Sequence, residues 1–376
     1  MKKFPVICIL ILSFYLLTAC GSQKTKWKGT IEEVDGVPVV KNPDQPIYPD
    51  EVVRFEEELT IGQAEGSEEY TLSHISSFDA DDEGNIYILD MRPFCVKVYD
   101  KEGKFLRSIG RTGQGPGEFQ IPYNIQVTDR NEVLVCDTGK GAILFFSSEG
   151  TFLEEIRNPI LRLGLYAFVD TQKNVYFDRS FIQERQRKLL KLPPPYEKYE
   201  EIVSREAPLR SPIPPPQIRF AQLPGDNLAW ANSSEYAIHI IDSQGRTVKK
   251  IEKEYAAVRV SDDYKKKYFE RLPPGISKET QKFSPHFPAF DLFFTDEEGR
   301  IFVKTYEKLE GMDKYVIDVF DPEGRFICRT ALRVGDDISL DQDKFVIKNN
   351  KLYVGETDKE GYPVLKRYRM IWKAEE

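Results

Sequence analysis

Four of the five carboxylates in one short stretch of the chain, Asp79, Asp81, Glu83 and Asp90, stand at ligand spacing, with Gly84 among them. That spacing imitates a calcium loop, in which oxygen ligands at alternate positions wrap a cation around a sharp turn. The same turn recurs at Asp129 to Glu132 and at Asp296 to Gly299 without the cluster, which favours a strand-to-strand turn over a cation site. Asp90, Asp137 and Asp178 close equivalent strands and read as structural hydrogen-bond acceptors. Of the three histidines, His74 and His286 precede expected inner strands, where they could meet at one mouth of a channel, and His239 lies inside an outer strand. No Ser, His and Asp pattern of nucleophilic catalysis stands out. The glycines between Gly113 and Gly117 lead into a strand, whereas a phosphate cradle leads into a helix.

A repeat positions these residues. Its clearest copy runs Phe78 to Asp90, then Val96 to Asp100, then Lys104 to Gly110, as strands separated by turns. Further copies start at Ile125, Tyr166, Arg219 and Leu292, the one from Tyr166 with a diverged outer half that includes Leu189 to Leu192, and a sixth, from Lys344 to Met370, has only three strands. The missing strand is expected in Val52 to Gly62, which has the character of an outer strand and would close the ring by pairing with the last copy. The turn positions Asn85, Glu132, Asn174, Asn227, Arg300 and Lys351 are spaced by roughly 40 to 75 residues, in the range of propeller blades with insertions. Second strands such as Ile86 to Leu89 and Val133 to Cys136 are continuously apolar, so both their faces must be covered. Sheets stacked face to face around an axis satisfy this. The expected fold is therefore all-β: a six-bladed β-propeller of four-stranded antiparallel blades, closed by an N-terminal strand.

The pattern resembles the NHL and TolB-like six-bladed propeller family. The resemblance rests on the turn and strand from Asp82 to Asp90, on Asp137-Thr138-Gly139 and on Gly113-Gln114-Gly115-Pro116-Gly117-Glu118-Phe119. It covers nearly all of residues 51–376 and speaks for fold more than activity, because propellers carry many unrelated functions. Related propeller lyases and lactonases assemble a metal from several His or carboxylates. This chain has too few histidines for the first kind and no matching carboxylate and asparagine set for the second. Two departures from a plain repeat are expected. One is a proline-rich excursion near 183–216; the other, near 252–288, carries a short helix from Ser261 to Arg271 with Ser261 as its N-cap.

Propellers bind ligands at the channel mouth where inner strands begin, as the resemblance implies. Counting back from the turns places Ser77, Asn124, Tyr166, Arg219, Leu292 and Asp343 there, with Ser76, Tyr123, Leu165, Ile218, Asp291 and Gln342 one residue earlier. The ligand-binding candidates are accordingly His74, Tyr123, Asn124, Tyr166, Arg219, Asp291 and Asp343. The alternative is that these are ordinary strand-start residues bonded to neighbouring blades.

At the N-terminus, Lys2 and Lys3 precede an apolar run from Val6 to Leu17 that is short for a bilayer span and suits a secretory signal. Leu17-Thr18-Ala19-Cys20 resembles a bacterial lipobox, which implies lipidation of Cys20 and a mature chain that starts there. An ordinary signal peptide or an uncleaved anchor is the competing reading. The expected organisation is a lipoprotein signal over 1–19, a tether over 20–50 with a hairpin at Asp35-Gly36, and the propeller over 51–376. A net charge of -8 argues against a nucleic-acid partner. Cys95, Cys136 and Cys328 remain, and buried thiols are preferred over a bridge from Cys95 to Cys136.

These features describe a monomeric envelope lipoprotein on the periplasmic or cell-surface side, held to the membrane by its lipid, with neither cofactor nor resident metal. It would act as a non-catalytic module for a small molecule or protein. The alternative is a metal-dependent hydrolase or lyase with Asp291, Asp343, Asn124 and His74 around an ion at the channel mouth. A third reading is a structural envelope component.

Overall fold

A computed structural model describes residues 26–49, 51–162, 166–207, 213–273, 275–309, 314–332 and 345–373. The N-terminal part supplies β1 (Thr30–Val34), β2 (Val37–Asn42) and β3 (Val53–Ile61). Blade 1 is β4 (Ile75–Ala80), β5 (Ile86–Asp90), β6 (Cys95–Tyr99) and β7 (Phe105–Ile109). Blade 2 is β8 (Pro122–Val127), β9 (Glu132–Asp137), β10 (Ala142–Ser147) and β11 (Phe152–Arg157). Blade 3 is β12 (Ala167–Val169), β13 (Val175–Phe181), β14 (Gln186–Leu192) and β15 (Glu200–Glu206). Blade 4 is built on β16 (Ile218–Leu223), β17 (Asn227–Asn232), β18 (Ala237–Ile241) and β19 (Thr247–Lys253), followed by helix α1 (Asp262–Glu270). Blade 5 is β20 (Leu292–Thr295), β21 (Ile301–Lys308), β22 (Tyr315–Phe320) and β23 (Phe326–Leu332). Blade 6 is β24 (Phe345–Lys348), β25 (Lys351–Thr357) and β26 (Pro363–Trp372), and β3 pairs antiparallel with β26 as its fourth strand.

The apolar second strands explain the stacking. Every residue of β5 is buried, so side chains on both faces of this strand are covered by neighbouring blades. Tyr87, Leu89, Val96 and Val98 of blade 1 join Val133, Val135, Leu144 and Phe146 of blade 2 in one cluster, and similar clusters occupy other blade junctions. Each fully buried aliphatic or aromatic side chain contributes about 1.5–3 kcal/mol. The glycine motif lies at the first junction: fully buried Phe119 meets Phe146 edge-on, Glu118 accepts from the Gly115 N–H at 2.9 Å, and Lys140 donates to the Gly115 carbonyl at 2.8 Å.

Two expectations need correction. Residues 37–49 are not a tether. After a two-residue turn with Asp35 and Gly36 at positive φ, β2 pairs parallel with β19 and makes blade 4 six-stranded. Asn42, nearly fully buried, donates to the carbonyls of Gly324 at 2.9 Å and Glu252 at 3.1 Å, and accepts from the Phe326 N–H at 2.8 Å. A parallel partner some 210 positions away leaves no local signature, unlike a hairpin. The stretch near 183–216, likewise, is not chiefly a proline excursion: it holds β14 and β15, the outer half of blade 3. Leu189 to Leu192 lie in the outer half of blade 3 as expected, within a longer β14; charge hid β15, a largely solvent-facing outer strand, and the start of β14 at Gln186, Arg187 and Lys188. The helix matches its expected bounds, and Ser261 Oγ accepts from the Tyr264 N–H at 3.1 Å. Cys95, Cys136 and Cys328 are buried and form no disulfide. Residues 1–25, including Cys20, lie outside the described residues.

Candidate functional site

The repeated turns are held by their own side chains. Asp81 accepts from the N–H groups of Glu83 and Asn85, from Asn85 Nδ2 at 2.8 Å and from the Tyr87 hydroxyl at 3.0 Å. Asp170, Asn174 and Tyr176 repeat the arrangement in blade 3. A carboxylate that accepts four hydrogen bonds inside its turn has its lone pairs committed there, which accounts for the pseudo-calcium spacing. Asp90 accepts from the Ser73 and His74 N–H groups and lies 3.4 Å from Lys97; Asp137 accepts from Gln120, Ile121 and Lys140 N–H groups; Asp178 is paired with Arg187. Asp90 and Asp137 do the work expected of strand-closing acceptors, while Asp178 stands inside β13 and accepts from Arg187 of the next strand.

Inner strands expose one backbone edge to the channel, and polar side chains of the preceding blade satisfy it. Ser77 Oγ accepts from the Ile125 N–H at 3.2 Å, and Asp79 Oδ2 from the Val127 N–H at 2.7 Å. One blade on, Gln126 both accepts from the Val169 N–H at 2.8 Å and donates to its carbonyl at 3.0 Å. Thr295 donates to the Gln222 carbonyl at 2.6 Å. These side chains stitch the ring from within.

A cavity of about 740 Å³ occupies the channel. It is lined by the later parts of all six inner strands and by the turns that follow them, including Asp82, Asp129, Lys173, Asp226, Glu297 and Lys348. Its wall is polar along Asp79, Asn124, Gln126 and Gln222, and aromatic along Phe168, Phe294 and Phe345, of which the last two stack at 5.1 Å. Burial pushes the Asp79 carboxyl up to about 6, although the Val127 and Ala80 N–H groups and Lys348 pull it down; Asp81 adds to the rise. At the rim, Lys348 bridges Asp82 at 2.9 Å and Glu297 at 3.1 Å, tying blade 6 to blades 1 and 5. Burial works against its charge, yet these two carboxylates offset that and raise its pKa.

The cavity thus collects residues from the end of the inner strands, opposite the expected entrance. Of the sequence candidates, Asn124 and Tyr166 line it. Asn124 donates to Ser77 Oγ at 3.4 Å and accepts from the Ala167 N–H at 3.4 Å; Tyr166 meets Phe220 edge-on at 5.0 Å. Tyr123 offers its carbonyl to Ser76 Oγ at 2.5 Å, and His74 is exposed, with its N–H on Asp90. His286 is in a bridge with Arg259, and His239 stacks on Trp230 at 4.3 Å. Arg219 and Asp291 are buried together between blades 4 and 5: Arg219 Nε donates to the Asp291 carbonyl at 2.9 Å, while the Asp291 carboxylate is paired with Lys304 and accepts from the Tyr306 hydroxyl at 3.4 Å. Phe287 from the excursion after blade 4 stacks on Tyr306 at 4.3 Å, so this cluster is covered. Asp343 lies outside the described residues. The set proposed for an ion is therefore dispersed where it can be followed, and among the described residues no group of three or more His, Cys, Asp or Glu side chains could hold a metal ion.

Counting back from the turns missed Asp79, Gln126, Gln222, Thr295 and Lys348. A signal was present: Ser77 and Asp79, like Asn124 and Gln126, stand two apart within strands and so share the channel-facing side.

Six four-stranded sheets in a ring, one of them extended by a hairpin, make this chain a six-bladed β-propeller. A protein family described as a 6-bladed beta-propeller, DUF5128, matches residues 63–194. Among solved structures, a putative exported protein from Bacteroides fragilis is 13% identical, with a TM-score of 0.53 over 88% of this chain and 99% of that one. A duf4221 family member from Bacteroides vulgatus is 10% identical, with a TM-score of 0.56 over 85% and 99% of the two chains. Among curated proteins, E3 ubiquitin-protein ligase TRIM32 of Mus musculus is 45% identical over 53 residues. That match spans 14% of this chain and 8% of the relative's length.

Proposed function

We propose that this chain is a non-catalytic binding propeller of the NHL and TolB-like kind, carried on the bacterial envelope by a lipid on Cys20, with the channel cavity as its ligand seat. The observation that carries the reading is the wall of that cavity. Ser77, Asp79, Asn124 and Gln126 each hold a neighbouring backbone, so their side chains are fixed in place along the polar wall of the channel. A volume of about 740 Å³ is in the range of small-molecule pockets, which combine apolar walls with a few placed polar groups. Asp79, Gln126 and Gln222 from blades 1, 2 and 4, interleaved with Phe168, Phe294 and Phe345 from blades 3, 5 and 6, suit a neutral or cationic polar ligand that also makes apolar contacts. Export is supported by the N-terminal signal pattern and by the likeness in fold to the putative exported protein of Bacteroides fragilis.

The test pairs binding with turnover. Purified protein is heated with a panel of sugars and primary amines, beside a Gln222→Trp variant whose indole fills the channel. A ligand that raises the melting temperature of the wild type and not of the variant supports the seat. Metal-dependent turnover of lactone or peptidyl substrates, with stoichiometric metal by elemental analysis, overturns the non-catalytic reading.

A further inference from the structure

We infer that the rim of blade 4 rests on a lipid surface, so that the ring stands on edge with its channel running along the membrane plane. The inference rests on the proposed lipid at Cys20 and goes beyond it to an orientation. Cys20 is six residues before Lys26, a span of about 20 Å at full extension. From Trp27 onward the chain is fastened to blade 4: Trp27 Nε1 donates to Asn42 Oδ1 at 3.0 Å, and β2 pairs with β19. A compact body of this length is about 50 Å across, more than twice that reach. Blade 1 lies diametrically opposite blade 4, so the tether holds the rim of blade 4, and not that of blade 1, within its reach of the lipid.

The chemistry of this rim fits such a surface. Among the described residues nothing pairs with the outer edge of β1, and every residue of that strand is exposed. Ile31 is 59% exposed, Val34 49% and Val248 of the adjoining β19 41%. Lys26 and Lys28, on the segment that leads into β1, are exposed, as are Glu32 and Glu33 of β1 itself. Basic side chains near an anionic leaflet contribute about 1 kcal/mol each, and a half-buried Trp suits the interface. Glu32 is partly neutralised by Lys41, at 2.6 Å. A bare strand edge on a soluble face invites pairing with other chains. Against a lipid surface, that edge is shielded.

Full-length protein made with its own N-terminus is reconstituted into phosphatidylethanolamine and phosphatidylglycerol vesicles, and mass spectrometry of the N-terminal peptide establishes whether Cys20 is acylated. Val34→Cys, Val248→Cys and, across the ring, Leu106→Cys carry a fluorophore that nitroxide lipids quench; oxidative footprinting of the unmodified protein with and without vesicles serves as a variant-free check. Quenching at 34 and 248 at least threefold stronger than at 106, with footprint protection confined to blade 4, is the expected result. Equal quenching at all three positions in acylated protein overturns the orientation and leaves the anchor standing. An unacylated Cys20 overturns both. Protection of β1 that appears without vesicles and grows with protein concentration assigns the edge to a second copy and also overturns the proposal.

Discussion

The N-terminal segment is used twice, and the two uses differ in kind. β3 enters blade 6 as a required fourth strand: Val53 and Ile61 are buried, and Arg367 joins Glu58 at 2.7 Å while donating to the Lys101 carbonyl of blade 1. The β1–β2 hairpin is added to a blade 4 that already has four strands, and only its inner strand is substantially buried. A strand that completes a ring carries the cooperativity of the whole, whereas a strand laid on a finished blade contributes locally.

Val53→Asp is the harshest way to break that contrast. An unpaired charge at a fully buried position of the closing seam should cost about 3–5 kcal/mol and lower the melting temperature by roughly 5–10 °C in a calorimeter. Val39→Asp in β2 should cost roughly half as much or less, because the hairpin can lift away without opening the ring. Equal losses would erase the distinction. Asn42→Ala comes next: it removes bonds to Gly324, Glu252 and Phe326 and should cost about 2 kcal/mol, with hydrogen exchange accelerated in β2 and unchanged in β26.

Asp79→Asn tests the channel apart from either seam. The folded carboxyl titrates near 6, above its unfolded value, so the folded state holds the proton more tightly and stability falls as pH rises from about 4 to about 6. Because this side chain is only partly buried in the channel wall, the loss should be about 1–2 kcal/mol, and the variant should lack it. The measure is the difference in denaturation free energy between pH 4 and pH 7 for the two proteins. Smallest of all, Ile31→Lys on the exposed outer strand should shift stability by less than about 0.5 kcal/mol.

What could be read in the residues follows local periodicity. Blade 1 was legible because its turns, apolar strands and closing Asp90 fall within a few dozen residues and repeat. Blade 3 was only half legible, since Lys188, Lys191 and the glutamates of β15 carry outer-strand polarity that imitates a loop. The parallel seat of β2 was invisible, having no partner nearby in sequence. The candidate site fared less well. Arg219 and Asp291 are polar at strand starts, as expected, yet they neutralise a buried junction between blades. Asn124 is a channel residue, and its companions Asp79 and Gln126 show that the informative feature was alternation along a strand more than distance from a turn.

The seam between β3 and β26 also sets an order of events. Glu56 meets Arg369 at 2.8 Å across 313 positions of sequence, so a chain emerging N-terminus first must hold β3 without a partner until β26 has been made. Five blades can assemble before then as an open arc with bare strand edges, vulnerable to proteases and to neighbouring copies, and contacts this distant form slowly. Removing β26 should therefore leave an arc trapped at that stage, degraded during biogenesis instead of accumulating as a five-bladed product.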